Sequence, residues 1–202
     1  MSGRRAGQRF DAVHGVTTEA LVFLGELDPD AIGPSLAFAT HYEPTPVADA
    51  NALLDASPLA PESTTFVDLG AGMGRVVLLA ARRPFRAVVG VEISPALAQV
   101  ARENVASARG LQRVARDVRI AQADARRFTF PRGNVAIYLY NPFRGPVLEA
   151  VLRRLQKPPA REVVLLYHTA VERETVAATE AFDLVADLGF GLVYRLKRTA
   201  AP

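Results

Sequence analysis

The 202-residue chain has no cysteine, which excludes disulfides and thiolate metal sites, and its three histidines show no spacing suited to a metal ion. No metal is expected, and the chemistry runs without a protein-bound thiolate. Lysine is almost absent: all but two of the 24 Lys+Arg residues are arginine, and against 21 Asp+Glu they leave a formal net charge of only +3. That balance permits nucleic-acid binding without arguing for it. The densest basic run is Arg109, Arg113, Arg116 and Arg119, with Arg126, Arg127 and Arg132 shortly after. No aromatic platform is interleaved among its first four members, so it reads as a solvated face. No stretch approaches the roughly 18 uninterrupted apolar residues of a membrane span, and the charged N-terminus lacks the apolar centre of a signal peptide. A soluble cytoplasmic protein with no membrane attachment is the expectation.

Half of the residues are apolar, enough for one substantial core. From Thr65 onward, apolar runs of strand length alternate with helical patterns, the signature of βαβ units and a parallel sheet. Strands are predicted over 65–69, 87–91, 118–121, 135–140 and 163–167, with helices over 75–82, 95–108, 146–155 and 171–179. Two further strands, 182–188 and 192–196, flank Gly189-Phe190-Gly191 and are close enough to pair as a hairpin. The fold class is therefore α/β: a three-layer, Rossmann-like sandwich with a mostly parallel seven-strand sheet ending in an antiparallel hairpin. Before it, helices are expected over 17–27 and 47–56, the second punctuated by Pro44, Pro46, Pro58 and Pro61. Residues 1–61 read as an N-terminal helical cap on a compact unit spanning 62–202.

The most informative segment is Phe66-Val67-Asp68-Leu69-Gly70-Ala71-Gly72-Met73-Gly74-Arg75, a buried strand opening through glycines into a helix. Glycine allows a tight turn and close backbone approach to a ligand. The dinucleotide fingerprint G-x-G-x-x-G would put its third glycine at position 75, where this chain has Arg75. Charge decides further. A carboxylate at Asp68 would repel a pyrophosphate but attract the protonated amine and sulfonium of S-adenosylmethionine. Glu92, followed by Ile93, ends the next strand about 20 residues on, where an acidic side chain can accept from both ribose hydroxyls. The third strand runs into Asp124-Ala125, where a carboxylate can meet an adenine amino group; an ordinary turn or cap is the alternative there.

With Asp68, the three glycines, Glu92 and Asp124 in this order, the chain resembles the class I, seven-strand S-adenosylmethionine-dependent methyltransferases across roughly residues 62 to 197. The resemblance implies S-adenosylmethionine as cofactor and S-adenosylhomocysteine as product. It implies that Gly70, Gly72 and Gly74 wrap the methionine part, that Glu92 and Ile93 lie at the ribose, and that Asp124 with Ala125 lies at the adenine. His41-Tyr42-Glu43-Pro44-Thr45-Pro46 is similar to the Tyr-x-Pro-Ser/Thr entry segment of some non-SET protein-lysine methyltransferases and of bacterial methyltransferases that also carry a Y-N-P-F string. That likeness implies that Tyr42 and Thr45 help close the cofactor site; the alternative is a proline-rich connection with Thr45 as a helix cap.

Tyr140-Asn141-Pro142-Phe143 closes the fourth strand at the carboxyl edge, where open α/β sheets bind ligands. Methyl transfer needs an aimed nucleophile, acceptors to orient it and exclusion of water. Asn141 can orient an amine beside the cofactor, Phe143 can pack on a flat acceptor or a methylene chain, and Tyr140 can hydrogen-bond acceptor or cofactor. Asn141 and Pro142 as a simple turn, with Phe143 in the core, remain the alternative. The string resembles the D/N-P-P-Y/F motif of amino-group methyltransferases but lacks the second proline. N-methylation of a protein side chain or small amine is the expected activity. A nucleic-acid amino methyltransferase and a non-catalytic cofactor-binding module are the other readings. His168 reads as a surface-loop histidine, with general base as its alternative role.

Overall fold

The computed structural model describes residues 2–157 and 160–197. The expected outer limits at residue 1 and at 198–202 lie outside them. The chain opens with α1 (Ser2–His14), a one-turn α2 (Pro29–Ile32) and α3 (Val47–Asp55). It then alternates through β1 (Thr64–Leu69), α4 (Arg75–Ala80), β2 (Ala87–Glu92), α5 (Pro95–Ser107), β3 (Val118–Gln122), β4 (Gly133–Tyr140), α6 (Pro146–Leu155), β5 (Ala160–His168), α7 (Arg173–Ala177), β6 (Phe182–Asp187) and β7 (Gly191–Leu196). The seven strands form one sheet in the order β3-β2-β1-β4-β5-β7-β6. Pairing is parallel from β3 through β5, and β7 runs antiparallel to both β5 and β6.

Central strands of a parallel sheet are covered on both faces, which is why β1 is buried at every position, Thr64, Thr65 and Asp68 included. Phe66, Val88, Tyr138 and Leu166 face a core layer with Leu53 and Leu54 of α3 and Val76 and Leu79 of α4. Val67, Val89, Ile137 and Leu165 face the opposite layer, where α6 contributes Val147, Leu148, Val151, Leu152 and Leu155. That spacing is the apolar stripe of an amphipathic helix, with Arg153 and Arg154 left outside. After β1 the chain builds outward through β2 and β3, then returns to lay β4 on the other side of β1. The carboxyl ends of β1 and β4 thus flank the switch point where open α/β sheets bind ligands.

The region before β1 departs from expectation in two places. The helix expected over 17–27 is absent: the segment is extended, Val22 exchanges backbone hydrogen bonds with Tyr42 (3.1 and 2.9 Å), and only a 3₁₀ turn forms at Leu24–Glu26. The bridge to Tyr42 takes the Val22 N–H and carbonyl that a helix would pair within itself, and partners outside the segment hold its start. The Asn104 side chain accepts from the Thr17 N–H at 2.9 Å, and the Asp11 carboxylate from those of Thr18 and Glu19 at 2.6 and 2.7 Å. Conversely, α1 is helical although Gly3 and Gly7 interrupt it and only Phe10 gives it a large buried apolar side chain. Among the described residues no helix is long and apolar enough to cross a membrane.

Candidate active site

The two segments meet over the switch point. A strap from Val16 to Pro46, extended at both ends with α2 and 3₁₀ turns between, crosses the carboxyl edge of the sheet, tied down by a backbone bridge between Ala39 and Phe143 and by the Arg144 N–H donating to the Phe38 carbonyl (3.0 Å). Beneath it lies a cavity of about 100 Å³ lined by Tyr42, Thr45, Asp68, Gly70, Gly72, Glu92, Ile93, Asp124, Ala125, Tyr140 and Phe143, among others. Of the residues singled out in the sequence, Gly74 and Asn141 do not line it. A second, more open cavity of about 620 Å³ lies on the far side of Tyr140 and is lined by Asn141.

The loop after β1 folds tightly against β2, since the N–H groups of Gly70 and Ala71 both donate to the Val91 carbonyl (2.8 and 3.1 Å). Gly70 and Gly72 have φ of +80° and +52°, which other residues adopt only at a cost. A Cβ at Gly70 would stand 2.2 Å from that of Pro142, and one at Gly72 would stand 2.1 Å from the Tyr42 ring. The loop therefore needs glycine to let the strap and the β4–α6 turn close onto it. The Tyr42 hydroxyl, donating to the Thr18 carbonyl at 2.7 Å, holds its ring there. Thr45 does not cap α3; its hydroxyl oxygen accepts from the Tyr138 hydroxyl at 3.0 Å, under the floor of the cavity.

The acidic residues differ sharply in how they are satisfied. Asp68 is buried, faces the cavity, and among the described residues receives no hydrogen bond. Burial, with the nearby Glu92 charge adding to it, pushes its carboxyl up to about 8. Glu92 is also buried, and burial raises it, but its two oxygens accept from the backbone N–H groups of Gly72 and Ser94, each at 2.8 Å. An oxygen bonded once retains a lone pair for a ligand hydroxyl. Asp124 is engaged on both oxygens: Arg126 donates to it at 2.7 Å through its guanidinium and at 2.8 Å through its backbone N–H, and the Ser35 hydroxyl donates at 2.8 Å. Although desolvation opposes the charge, these donors hold Asp124 down at about 2. No motif marks Ser35, which lies 89 residues from Asp124, in the strap.

Because the raised Asp68 carboxyl is higher folded than unfolded, its contribution to stability is full below the ordinary carboxylate range and fades as pH rises through about 8. Thermal melts of the ligand-free protein are expected to fall between pH 5 and pH 9, with Asp68→Asn removing most of that slope; an unchanged slope in the variant would place the titrating group elsewhere.

The acceptor-side residues fall in different places. The Asn141 backbone sits at φ +42°, and its side chain is committed to the β5–α7 connection: Nδ2 donates to the Thr169 carbonyl at 2.6 Å and Oδ1 accepts from the Val171 N–H at 3.4 Å. It shapes the edge instead of reaching into the first cavity. Phe143 is buried in the α6 core layer and touches only the first cavity, because its bridge to Ala39 turns it inward. Tyr140 borders both cavities and donates to Glu43 at 3.1 Å. His168 is not on the surface: it is buried, with Nε2 3.2 Å from Asp49 and Nδ1 2.9 Å from the Thr169 hydroxyl, and it packs edge-on against Tyr140. Desolvation lowers it, so the neutral ring is favoured. It lines neither cavity.

Fold and site together resemble those of the class I S-adenosylmethionine-dependent methyltransferases: a seven-strand Rossmann-like sheet with a glycine loop and strand-end carboxylates at one cavity. Residues 66–158 match the family described as "methyltransferase domain". Among solved structures, the chain is similar to a methyltransferase-like protein from Silicibacter pomeroyi (17% identity, 78% of this chain and 89% of that chain, TM-score 0.56). It is also similar to an S-adenosylmethionine-dependent methyltransferase from Leishmania major (12% identity, 75% and 72% covered, TM-score 0.53). An RNA methyltransferase from Salinibacter ruber, solved with S-adenosyl-L-homocysteine, is 29% identical over 76% of this chain and 92% of that chain, with a TM-score of 0.48. No curated protein matches the chain in sequence.

Proposed function

We propose that the cavity under the strap holds the methyl donor and that the methyl passes across Tyr140 to an amine nitrogen of a protein side chain or small molecule. The observation that carries the donor half is Asp68, a buried carboxylate with no protein donor among the described residues, turned into a cavity that also contains Glu92. An unpaired buried carboxylate is costly, and a ligand ammonium removes the cost. Glu92 is suited to accept from the ribose hydroxyls on the lone pairs its backbone bonds leave free, with Ile93 alongside. Gly70 and Gly72 keep the backbone close to the methionine part, and Tyr42 and Thr45 cover it. Ala125 lines the adenine end, where Asp124 reaches the exocyclic amine when Ser35 gives up its bond.

Held there by Asp68, Glu92 and the Gly70–Gly72 backbone, S-adenosylmethionine would supply an electrophilic methyl carbon on its sulfonium, with Tyr140 on the acceptor side. Tyr140 and Glu43 sit on the wall between the cavities and supply an acceptor pair that orients the incoming N–H. Desolvation and negative neighbours push the Tyr140 hydroxyl up to about 12, so it stays protonated and donates to Glu43.

Tritiated-methyl donor incubated with the chain and a cell lysate tests the acceptor. Label in amine-containing products, in small molecules or in protein, is expected; label removed only by nuclease would overturn the amine reading in favour of a nucleic-acid acceptor.

A further inference from the structure

The second cavity has a composition that the first does not share. One wall is apolar: Phe23, Leu24, Ala37 and Phe38 come from the strap, and the Phe23 and Phe38 rings stay exposed. Large apolar side chains held open at a cavity wall mark a ligand surface. On the opposite side stands Arg144, just past the end of β4, exposed and with no ion pair or side-chain hydrogen bond among the described residues. Its position is fixed nonetheless, since its backbone N–H donates to the Phe38 carbonyl and its neighbour Phe143 bridges Ala39. One set of backbone bonds therefore sets the aromatic wall and the Arg144 backbone in a common frame, with the arginine side chain lining the cavity. The third side is the partition shared with the donor cavity: Ala39, Thr40, His41, Glu43 and Tyr140 line both.

We infer that this cavity is the acceptor subsite and that it takes a small amphiphilic amine bearing an anionic group: apolar body against Phe23 and Phe38, carboxylate or phosphate on Arg144, nitrogen at the Glu43–Tyr140 partition. The inference rests on the donor reading of the first cavity and narrows its acceptor from any amine to an anionic small molecule. A guanidinium presents a planar fork that matches a carboxylate or phosphate, whereas Glu43 repels anions and draws the basic nitrogen to the partition. The charge order along the cavity thereby sets the polarity of binding, anion outward and amine inward. The basic run at Arg109–Arg119 that a nucleic acid would use contributes nothing to this lining. A cavity of about 620 Å³ lies within the range of about 300–1,000 Å³ that holds small ligands.

The test uses the full chain loaded with S-adenosylhomocysteine and titrated with 3-phenylpropionate, phenethyl phosphate, neutral 3-phenylpropanamide and a short single-stranded RNA. Either anion is expected to bind at least 10-fold more tightly than the amide, and whichever does so names the anionic group. Arg144→Gln should bring it to the level of the amide and Arg144→Lys should restore part of the difference, with S-adenosylhomocysteine affinity unchanged in both. An amide that binds as well as the acids, an anion preference that survives Arg144→Gln, or RNA binding without anion binding would each overturn the inference. Failure of the wild-type chain to bind S-adenosylhomocysteine would instead overturn the donor reading on which it stands.

Discussion

Asp68→Asn is expected to weaken S-adenosylmethionine binding by about 10- to 100-fold, read by calorimetry, because it removes a charge-assisted bond worth about 1.5–3 kcal/mol. The same substitution should make the ligand-free protein more stable at neutral pH and above, since it removes a carboxyl whose ionisation is opposed by burial and by Glu92. Those opposite signs separate a binding role from a structural one. Wild-type binding near pH 7 should also release a proton, measured as a dependence of apparent enthalpy on the ionisation enthalpy of the buffer, because the carboxyl sits at about 8 without a cation and must ionise to meet one. Full affinity in the variant would remove the charge argument altogether.

Arg75→Met is expected to be the most damaging single change to stability. Arg75 is 2% exposed, lies 2.7 Å from Glu19 and 3.6 Å from Asp11, and donates to the Thr18 hydroxyl at 2.8 Å and the Thr45 carbonyl at 3.3 Å. It is the point where α1, the strap and α4 meet. Breaking a buried pair by removing one partner costs about 3–5 kcal/mol, because the carboxylates remain. For a chain of this size that lowers Tm by roughly 10 °C. The loss should be local first: amide exchange in residues 2–45 should accelerate while β1, β4 and β5 stay protected. Unchanged exchange in the strap would show that Arg75 does not anchor it.

The contrast between Asp68 and Arg75 explains what the sequence reveals. Asp68 could be placed at a strand end because a strand buried on both faces announces itself as an apolar run, and a carboxylate interrupting one must face something. Glu92 was legible for the same reason, and α6 carried a clean stripe whose limits match from Pro146 to Leu155. Nothing comparable marks the strap. Its order comes from partners distant in the chain, such as Asn104 on Thr17 and Tyr42 on Gly72, so a helical reading of 17–27 failed where tertiary bonds outweighed local pattern. Ser35 on Asp124 and Asn141 on Thr169 were invisible for the same reason: a short polar side chain at a turn does not declare which backbone it will serve.

The strap also sets a tempo. Tyr42 rests on Gly72 and Ser35 is fastened to Asp124, so one N-terminal segment supplies the contacts that cover both ends of the donor cavity. On the reading above, exchange of the donor goes with release of those contacts, which couples turnover to a motion of this segment.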